Sequence, residues 1–219
     1  MPGKFITFEG LDGCGKSTQL NRLAEVLRAQ GIAVVTTREP GGTPIGERIR
    51  EVLLSSRTEN LAPRAELALM FASRAQQIAE VIAPGLAAGK FVLCDRFTDS
   101  SEAYQGGGRQ LGSADVLDLH RVVCGGLQPD LTILMDSDVA ASVERARRRN
   151  TSPRRAQTDE NRFEQESRAF FERVRAQYLE IARREPQRVV MVDARRPIDV
   201  VHREIVAVAR ERLGKESRH

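Results

Sequence analysis

The chain has 219 residues, of which 41% are hydrophobic and 29% charged, and its formal net charge is +4. This length allows one substantial core, or at most two small domains. No run approaches the roughly 18 apolar residues of a membrane helix, and MPGKFITFEG lacks the charged-then-apolar pattern of a signal peptide. Three scattered cysteines, Cys14, Cys94 and Cys124, show neither a disulfide framework nor metal-ligand spacing. We therefore expect a cytoplasmic protein without a membrane partner.

Short strands alternate with helices along the chain. The predicted strands cover residues 4–10, 34–40, 91–96, 131–136 and 189–194, and the predicted helices cover 16–30, 43–55, 64–88, 113–124, 138–149, 162–184 and 198–213. The strand interiors are almost continuously apolar, as in parallel strands that helices cover on both faces. No repeat or Pro/Gly/Ser linker divides the chain. The pattern predicts a single α/β domain over residues 1–219, with a doubly wound sheet of five parallel strands and ligands at their carboxyl ends.

Three glycines fall within six positions of FEGLDGCGKSTQL, where the first predicted strand meets the first predicted helix. Glycine is costly to order, so such a cluster indicates a backbone geometry that other residues do not reach. The spacing Gly10-x-x-x-x-Gly15-Lys16-Ser17 is that of the phosphate-binding P-loop, in which backbone N–H groups and a helix N-terminus converge on phosphates. We expect Lys16 to bridge the β- and γ-phosphates and Ser17 to ligate Mg²⁺. The predicted nucleoside-triphosphate site comprises Gly10, Leu11, Asp12, Gly13, Cys14, Gly15, Lys16, Ser17 and Thr18.

A P-loop alone does not name a reaction, because ATPases, GTPases and small-molecule kinases share it. The chain has no Asn-Lys-x-Asp motif for reading guanine, and one compact domain leaves little room for a motor or helicase. Arg38 and Arg96 stand at predicted strand ends, and the helix 64–88 carries Phe71 and Arg74. Arginine forks suit phosphate oxygens and aromatic rings suit a nucleobase face. These residues predict a second, nucleotide-shaped pocket.

The segments FEGLDGCGKST, TREPGGTPIGE, DRFTDSSEAYQGGGR, PDLTILMD and NRFEQES together resemble the bacterial thymidylate kinase family, whose members convert dTMP and ATP to dTDP and ADP. The resemblance runs from residue 4 to about 197, and its REPGG and AYQG segments are more specific than the P-loop. It implies a P-loop NTPase-type fold with a mobile lid at about residues 147–162. It also implies ATP and dTMP as substrates, Mg²⁺ as cofactor, no nucleic-acid partner and a homodimer.

For the phosphate and sugar of dTMP, the resemblance implies five residues. Arg38 and Arg96 would reach the phosphate region of the acceptor, and Asp95 would lie near Mg²⁺ and the transferring phosphate. Asp12 would contact the 3′-hydroxyl of the deoxyribose. Tyr104 would lie against the sugar, where a 2′-hydroxyl would clash. The implied dTMP site also includes Pro40 and Ser100.

For the thymine base, the resemblance implies Arg74 at O4, with Ser101 and Gln105 completing the hydrogen bonds. Relatives carry a stacking aromatic residue about one turn before this arginine. Here Met70 lies four residues before Arg74 and Phe71 three. We expect Phe71 to stack on the base, and Met70 is the alternative. The sequence leaves open whether the Glu39–Pro40 bond is cis or trans.

Six arginines fall within residues 145–155. Taken alone, they are consistent with a solvated helix end, a phosphate site or a nucleic-acid site. In the family, a catalytic arginine lies either in the P-loop or in the lid, and this P-loop has Gly13 at the relevant position. The lid arginines are Arg147, Arg148, Arg149, Arg154 and Arg155. We expect Arg154 or Arg155 to be catalytic, with Arg149 as the alternative, and the segment 150–161 to be mobile. The loop after the last predicted strand, Asp193, Ala194 and Arg195, resembles the family's loop on the adenine side of ATP.

Two alternatives to a dTMP kinase stay open. One is a P-loop kinase for another nucleotide or nucleoside. An ATP-regulated nucleic-acid-binding module that uses the arginines of 145–155 would instead bind DNA in a strongly salt-dependent manner.

Overall fold

The protein folds around a five-stranded parallel sheet. The computed structural model describes residues 2–150 and 161–213. The strands are β1 (Lys4–Glu9), β2 (Val34–Arg38), β3 (Phe91–Asp95), β4 (Leu131–Asp136) and β5 (Val189–Asp193). Their order in the sheet is β2-β3-β1-β4-β5, and every neighbouring pair is parallel. The predicted five-stranded α/β architecture is confirmed, because the near-continuous apolar runs form strands that helices cover on both sides.

Helices connect the strands and flank the sheet. They are α1 (Lys16–Ala29), α2 (Pro44–Leu54), α3 (Pro63–Gln77), α4 (Ala83–Ala87), α5 (Thr98–Ser101), α6 (Ser113–Cys124), α7 (Val139–Asn150), α8 (Arg168–Arg184) and α9 (Ile198–Leu213). A π-helical turn over Ile78–Ile82 joins α3 to α4, and a second over Glu102–Gly108 extends α5. In the described ranges, no helix is long and apolar enough to cross a membrane.

Two features of the helices differ from the sequence prediction. The predicted helix 162–184 begins as a short 3₁₀ turn, Phe163–Gln165, and α8 starts only after Ser167, whose side chain accepts the N–H of Phe170. The helical stretch 98–108 was not predicted, because its serines and glycines favour loops. It forms because it is packed inside the protein, where most of its residues are buried.

The core lies on both faces of the sheet. Ile6, Phe8 and Ile133 pack with α1 and α9 on one face. On the other face, α8 buries apolar side chains that include Phe171 and Val174. This packing fixes the strand ends in space. The sheet order reverses beside β1, so the ends of β1, β2 and β3 face a common crevice, where ligands bind in doubly wound folds.

Candidate active site

The loop between β1 and α1 has the backbone conformation that its glycines predict. Gly10 and Gly15 have φ angles of 131° and 99°. A Cβ atom on Gly10 would lie 2.5 Å from the carbonyl oxygen of Met135, so a side chain does not fit there. Lys16 begins α1, and its Nζ donates to the carbonyl oxygens of Gly10 (3.1 Å) and Leu11 (2.8 Å). Leu11 and Cys14 are buried beneath the loop, and Gly15, Ser17 and Thr18 are exposed.

Ser17 and Asp95 meet at the open side of this loop. The Ser17 hydroxyl donates to Asp95 Oδ2 at 2.5 Å. Both side chains offer oxygen ligands, which suit Mg²⁺. In the described ranges, no group of three or more His, Cys, Asp or Glu side chains forms a metal site. The pair therefore fits an ion that takes its remaining ligands from nucleotide phosphates and water.

Next to the P-loop lies a cavity with about 700 Å³ of empty volume, including the solvent at its mouth. The structure brings together at its wall the predicted residues Asp12, Pro40, Arg74, Arg96, Ser100, Ser101, Tyr104 and Gln105. They come from the P-loop, the loop after β2, helix α3 and the stretch that follows β3. Residues more than 90 positions apart in the sequence thus form one polar wall.

Arg96 has a positive φ of 75°, and its guanidinium is bonded on both sides. Nη2 donates to Asp12 Oδ1 (2.7 Å) and to the Tyr104 hydroxyl (3.1 Å), which itself donates to Asp12 Oδ2 (2.9 Å). Burial alone would raise the pKa of Asp12, but the charges of Arg96 and Lys16 hold this pKa well below its usual range. Asp12 is thus an anion that holds Arg96 and Tyr104 at the cavity wall.

Behind Arg96 lies a buried network that the sequence did not predict. Nη1 of Arg96 donates to Ser100 Oγ (2.9 Å) and to the Tyr178 hydroxyl (3.1 Å). Both hydroxyl groups also bond to Glu9 Oε2, at 2.5 and 3.0 Å. Burial and the nearby Asp99 carboxylate raise the pKa of Glu9 to about 7. Nothing in the sequence around Tyr178 indicated that its hydroxyl reaches Arg96.

Arg74 also lines the cavity and is buried. Its Nε donates to Glu39 Oε2 (2.6 Å), and its Nη2 donates to the Phe97 carbonyl oxygen (3.1 Å) and Ser101 Oγ (3.0 Å). Its Nη1 is buried without a hydrogen-bond partner among the described residues, as is Glu39 Oε1. Burial raises the pKa of Glu39 to about 7 despite the charge of Arg74. The guanidinium is therefore fixed in place with the two N–H groups of Nη1 left over.

The structure corrects the expectation for Phe71. This ring is 1% exposed and packs with Leu67 and Val116 between α3 and α6, so it does not reach the cavity. Met70 lines the cavity instead, as does Phe97. Successive residues of a helix point about 100° apart, so the choice between neighbours depends on how α3 is rotated against α6.

A second correction concerns the arginines of the acceptor side. Arg38 is half-exposed and forms an ion pair with Glu47 at 2.9 Å. As far as the described residues form it, the cavity wall contains Arg50 of α2 and not Arg38. Arg50 Nη1 donates to the carbonyl oxygen of Pro40 (2.8 Å), and the Glu39–Pro40 bond is cis. In the sequence, Arg50 is one of several charged residues of α2, so no pattern marked it as a residue of the cavity wall.

The remaining predictions concern the lid and the adenine side. Arg154, Arg155 and the side chain of Arg149 lie outside the described residues, as does most of the predicted mobile segment. At the end of β5, Arg195 Nε donates to Asp193 Oδ1 (2.7 Å) and lowers the pKa of Asp193 to about 2. Ala194 lies between them, and its N–H donates to the Asp136 carbonyl oxygen.

In both sequence and structure, the chain is similar to known proteins of one family. The family model for thymidylate kinase matches residues 8–205. The chain is 50% identical to the thymidylate kinase of Pseudomonas putida (strain GB-1), over 95% of each chain, and 51% identical to that of Bordetella pertussis (strain Tohama I), over 97% of each. A crystal structure of thymidylate kinase from Ehrlichia chaffeensis matches with a TM-score of 0.74 at 33% identity, covering 95% of this chain and 99% of that chain. The matched regions include the P-loop and the cavity.

Proposed function

The chain belongs to the thymidylate kinase family, and we propose that it uses the cavity beside its P-loop to phosphorylate dTMP with ATP, giving dTDP and ADP. The observation that carries this proposal is the guanidinium of Arg74. Arg74 lines the cavity and makes three hydrogen bonds within the protein, and its Nη1 is buried without a hydrogen-bond partner among the described residues. A buried donor without an acceptor costs free energy, and the O4 carbonyl of thymine would supply that acceptor.

On the donor side, the P-loop would hold the phosphates of ATP. Lys16 Nζ now donates to two carbonyl oxygens of its own loop, and it would turn to the β- and γ-phosphates. Ser17 and Asp95 would hold Mg²⁺ together with phosphate oxygens. When bound, this ion neutralises charge on the phosphates.

On the acceptor side, Arg96 and Arg50 would bind the 5′-phosphate of dTMP. Arg96 is held by Asp12, Tyr104 and Tyr178, so its position is fixed before the substrate arrives. The acceptor phosphate is already ionised, so no strong general base is required. The residues therefore act by bringing two anions together in line and by neutralising their repulsion.

The sugar and base would occupy the rest of the cavity. Tyr104 would lie against the deoxyribose and clash with a 2′-hydroxyl, and Asp12 would accept the 3′-hydroxyl. The base would contact Met70 and Phe97, which both line the cavity, with O4 at Arg74. Ser101 and Gln105 would complete the hydrogen bonds to the base.

Several parts of the proposal rest on the family alone. A lid arginine, Arg154 or Arg155 with Arg149 as the alternative, would stabilise the transferring group, and the loop Asp193–Arg195 would face adenine. We also propose one domain over residues 1–219 and a homodimer. The buried free cysteines are consistent with a reducing, cytoplasmic location.

The test is release of ADP from Mg-ATP with dTMP, dUMP, UMP, CMP, AMP or no acceptor. We expect strong dependence on dTMP, weak turnover of UMP and no turnover by Lys16→Ala. Turnover with another acceptor alone would support the kinase and contradict the assignment of the base-binding residues. Hydrolysis that ignores every acceptor would contradict the acceptor site altogether. The nucleic-acid-binding alternative would leave this cavity without a role, and we do not propose it.

A further inference from the structure

Glu66 lies on α3, is fully buried and contacts Gln105, which lines the cavity. Its carboxylate accepts a hydrogen bond from Gln105 Nε2 (2.8 Å) and bonds from Arg109 Nε and Nη2 (3.2 and 3.1 Å). It also forms an ion pair with Arg162 Nη2 (2.8 Å). Arg109 is paired in addition with Glu166. The network thus contains two acidic side chains, Glu66 and Glu166, and two arginines, Arg109 and Arg162.

The partner of Gln105 fixes which end of its amide faces the cavity. A carboxylate only accepts hydrogen bonds, whereas an amide has a donor end and an acceptor end. Gln105 must therefore turn Nε2 toward Glu66. Gln105 also lines the cavity, so its carbonyl oxygen is the end left for a ligand.

Together with Arg74, this arrangement presents a donor and an acceptor to the base. Arg74 contributes Nη1, which has no hydrogen-bond partner among the described residues, and Gln105 contributes the Oε1 acceptor. Thymine has the complementary edge, with O4 as acceptor and N3–H as donor. Cytosine has the reverse pattern, with a donor amino group at C4 and an acceptor at N3.

We infer that Glu66 is a positioning residue for base specificity, which favours thymine over cytosine by holding the Gln105 amide in one orientation. The inference rests on the proposed function. Replacing Glu66 by Gln introduces an amide that can donate as well as accept, so both orientations of Gln105 would find a partner. In the reversed orientation, Gln105 would offer an N–H group to the N3 atom of cytosine.

The experiment compares kcat/KM for dTMP and dCMP, with saturating Mg-ATP, in the wild type and in Glu66→Gln. We expect the dTMP/dCMP preference to fall by about tenfold or more, mainly through a higher KM for dTMP, with KM for ATP unchanged. In a Gln105→Ala background, Glu66→Gln should have no further effect on the preference, because Glu66 acts through Gln105.

Glu102→Gln is a matched control. Glu102 is equally buried and accepts from Gln177 Nε2 (3.2 Å) and from Arg184 (2.7 and 2.8 Å), but neither partner lines the cavity. It should lower the melting temperature and leave the nucleotide preference unchanged. A purely structural Glu66 would behave in the same way.

Glu66→Gln leaves Arg109 and Arg162 with one negative charge fewer, which can prevent folding. The variant Glu66→Gln with Arg162→Gln restores the charge balance and is measured in parallel. If either folded variant keeps the wild-type preference within about twofold, the inference is wrong. If the wild type itself does not prefer dTMP, the proposed function fails, and that result is distinct from an unchanged preference in the variants.

Discussion

The Cα of Gly13 lies so close to α7 that a Cβ atom there would stand 2.4 Å from the carbonyl oxygen of Ser142. It would also stand 3.0 Å from the backbone nitrogen of Ala146, and the φ of Gly13 is +80°. The P-loop and the helix that leads into the lid segment are therefore in backbone contact. This packing explains why position 13 carries glycine and not the arginine found in one type of the family. An arginine there would have to displace α7.

This contact predicts that Gly13→Ala impairs ATP binding. We expect a lower melting temperature and a KM for ATP higher by about tenfold, because α7 or the loop must move. Gly31→Ala is the control, since Gly31 has the same φ of +80° but no described residue has an atom within 4 Å of its Cβ position. The control should show only the backbone strain, roughly 1–2 kcal/mol. Equal effects of the two substitutions on KM for ATP would contradict the prediction.

Tyr104 should discriminate against ribonucleotides through its ring. Its hydroxyl is held by Asp12 and Arg96, so the ring position at the cavity wall is fixed. We expect Tyr104→Leu to reduce the dUMP/UMP ratio of kcat/KM by about tenfold, as expected when a steric block is removed. Tyr104→Phe keeps the ring and should keep the ratio. Unchanged discrimination in the leucine variant would exclude this role.

The hydroxyl of Tyr178 should support catalysis without touching a substrate. It bonds to Arg96, Ser100 and Glu9, and Tyr178→Phe removes only this group. We expect kcat/KM for dTMP to fall by about tenfold while KM for ATP is unchanged, because Arg96 loses a fixed partner.

Thr7→Val is the control for the loss of a buried hydroxyl. The Thr7 hydroxyl bonds to Thr132 at 2.8 Å, in the sheet and away from the cavity wall. Both substitutions should lower the melting temperature by a similar amount. If Tyr178→Phe changes the melting temperature alone, Tyr178 has only a structural role.

The buried carboxyl groups of Glu9 and Glu39 should make folding less favourable as the pH rises. Folding raises the pKa of each from 4.5 to about 7, so the folded state holds these protons more tightly than the unfolded state. Their contribution to stability is complete below about pH 4.5 and is lost as the pH rises through about 7, with a slope of at most about 1.4 kcal/mol per pH unit and group.

Denaturant unfolding between pH 4.5 and 7.5 measures this dependence. Glu39→Gln does not titrate, so its free energy of unfolding should change less over this range than that of the wild type. Glu51→Gln removes an exposed carboxyl on α2 and controls for the loss of one negative charge. Parallel curves for the wild type and Glu39→Gln would show that Glu39 does not titrate in this window.

The sequence alone determined the strands, the flanking helices and the P-loop of this protein. Each of these is encoded within a short window: apolar runs define the strands, and the glycine spacing defines a loop whose φ angles only glycine adopts readily. The family segments likewise identified most of the cavity wall, since Asp12, Arg74, Tyr104 and Gln105 all line it.

Only the tertiary structure decided which neighbouring side chains face the cavity. The rotation of α3 against α6 turns Met70 inward and buries Phe71, and the position of α2 brings Arg50 to the wall while Arg38 pairs with Glu47. The hydrogen bond between Glu9 and Tyr178 joins residues 169 positions apart. Such contacts depend on how whole helices pack on the sheet, and no local pattern of residues encodes that packing.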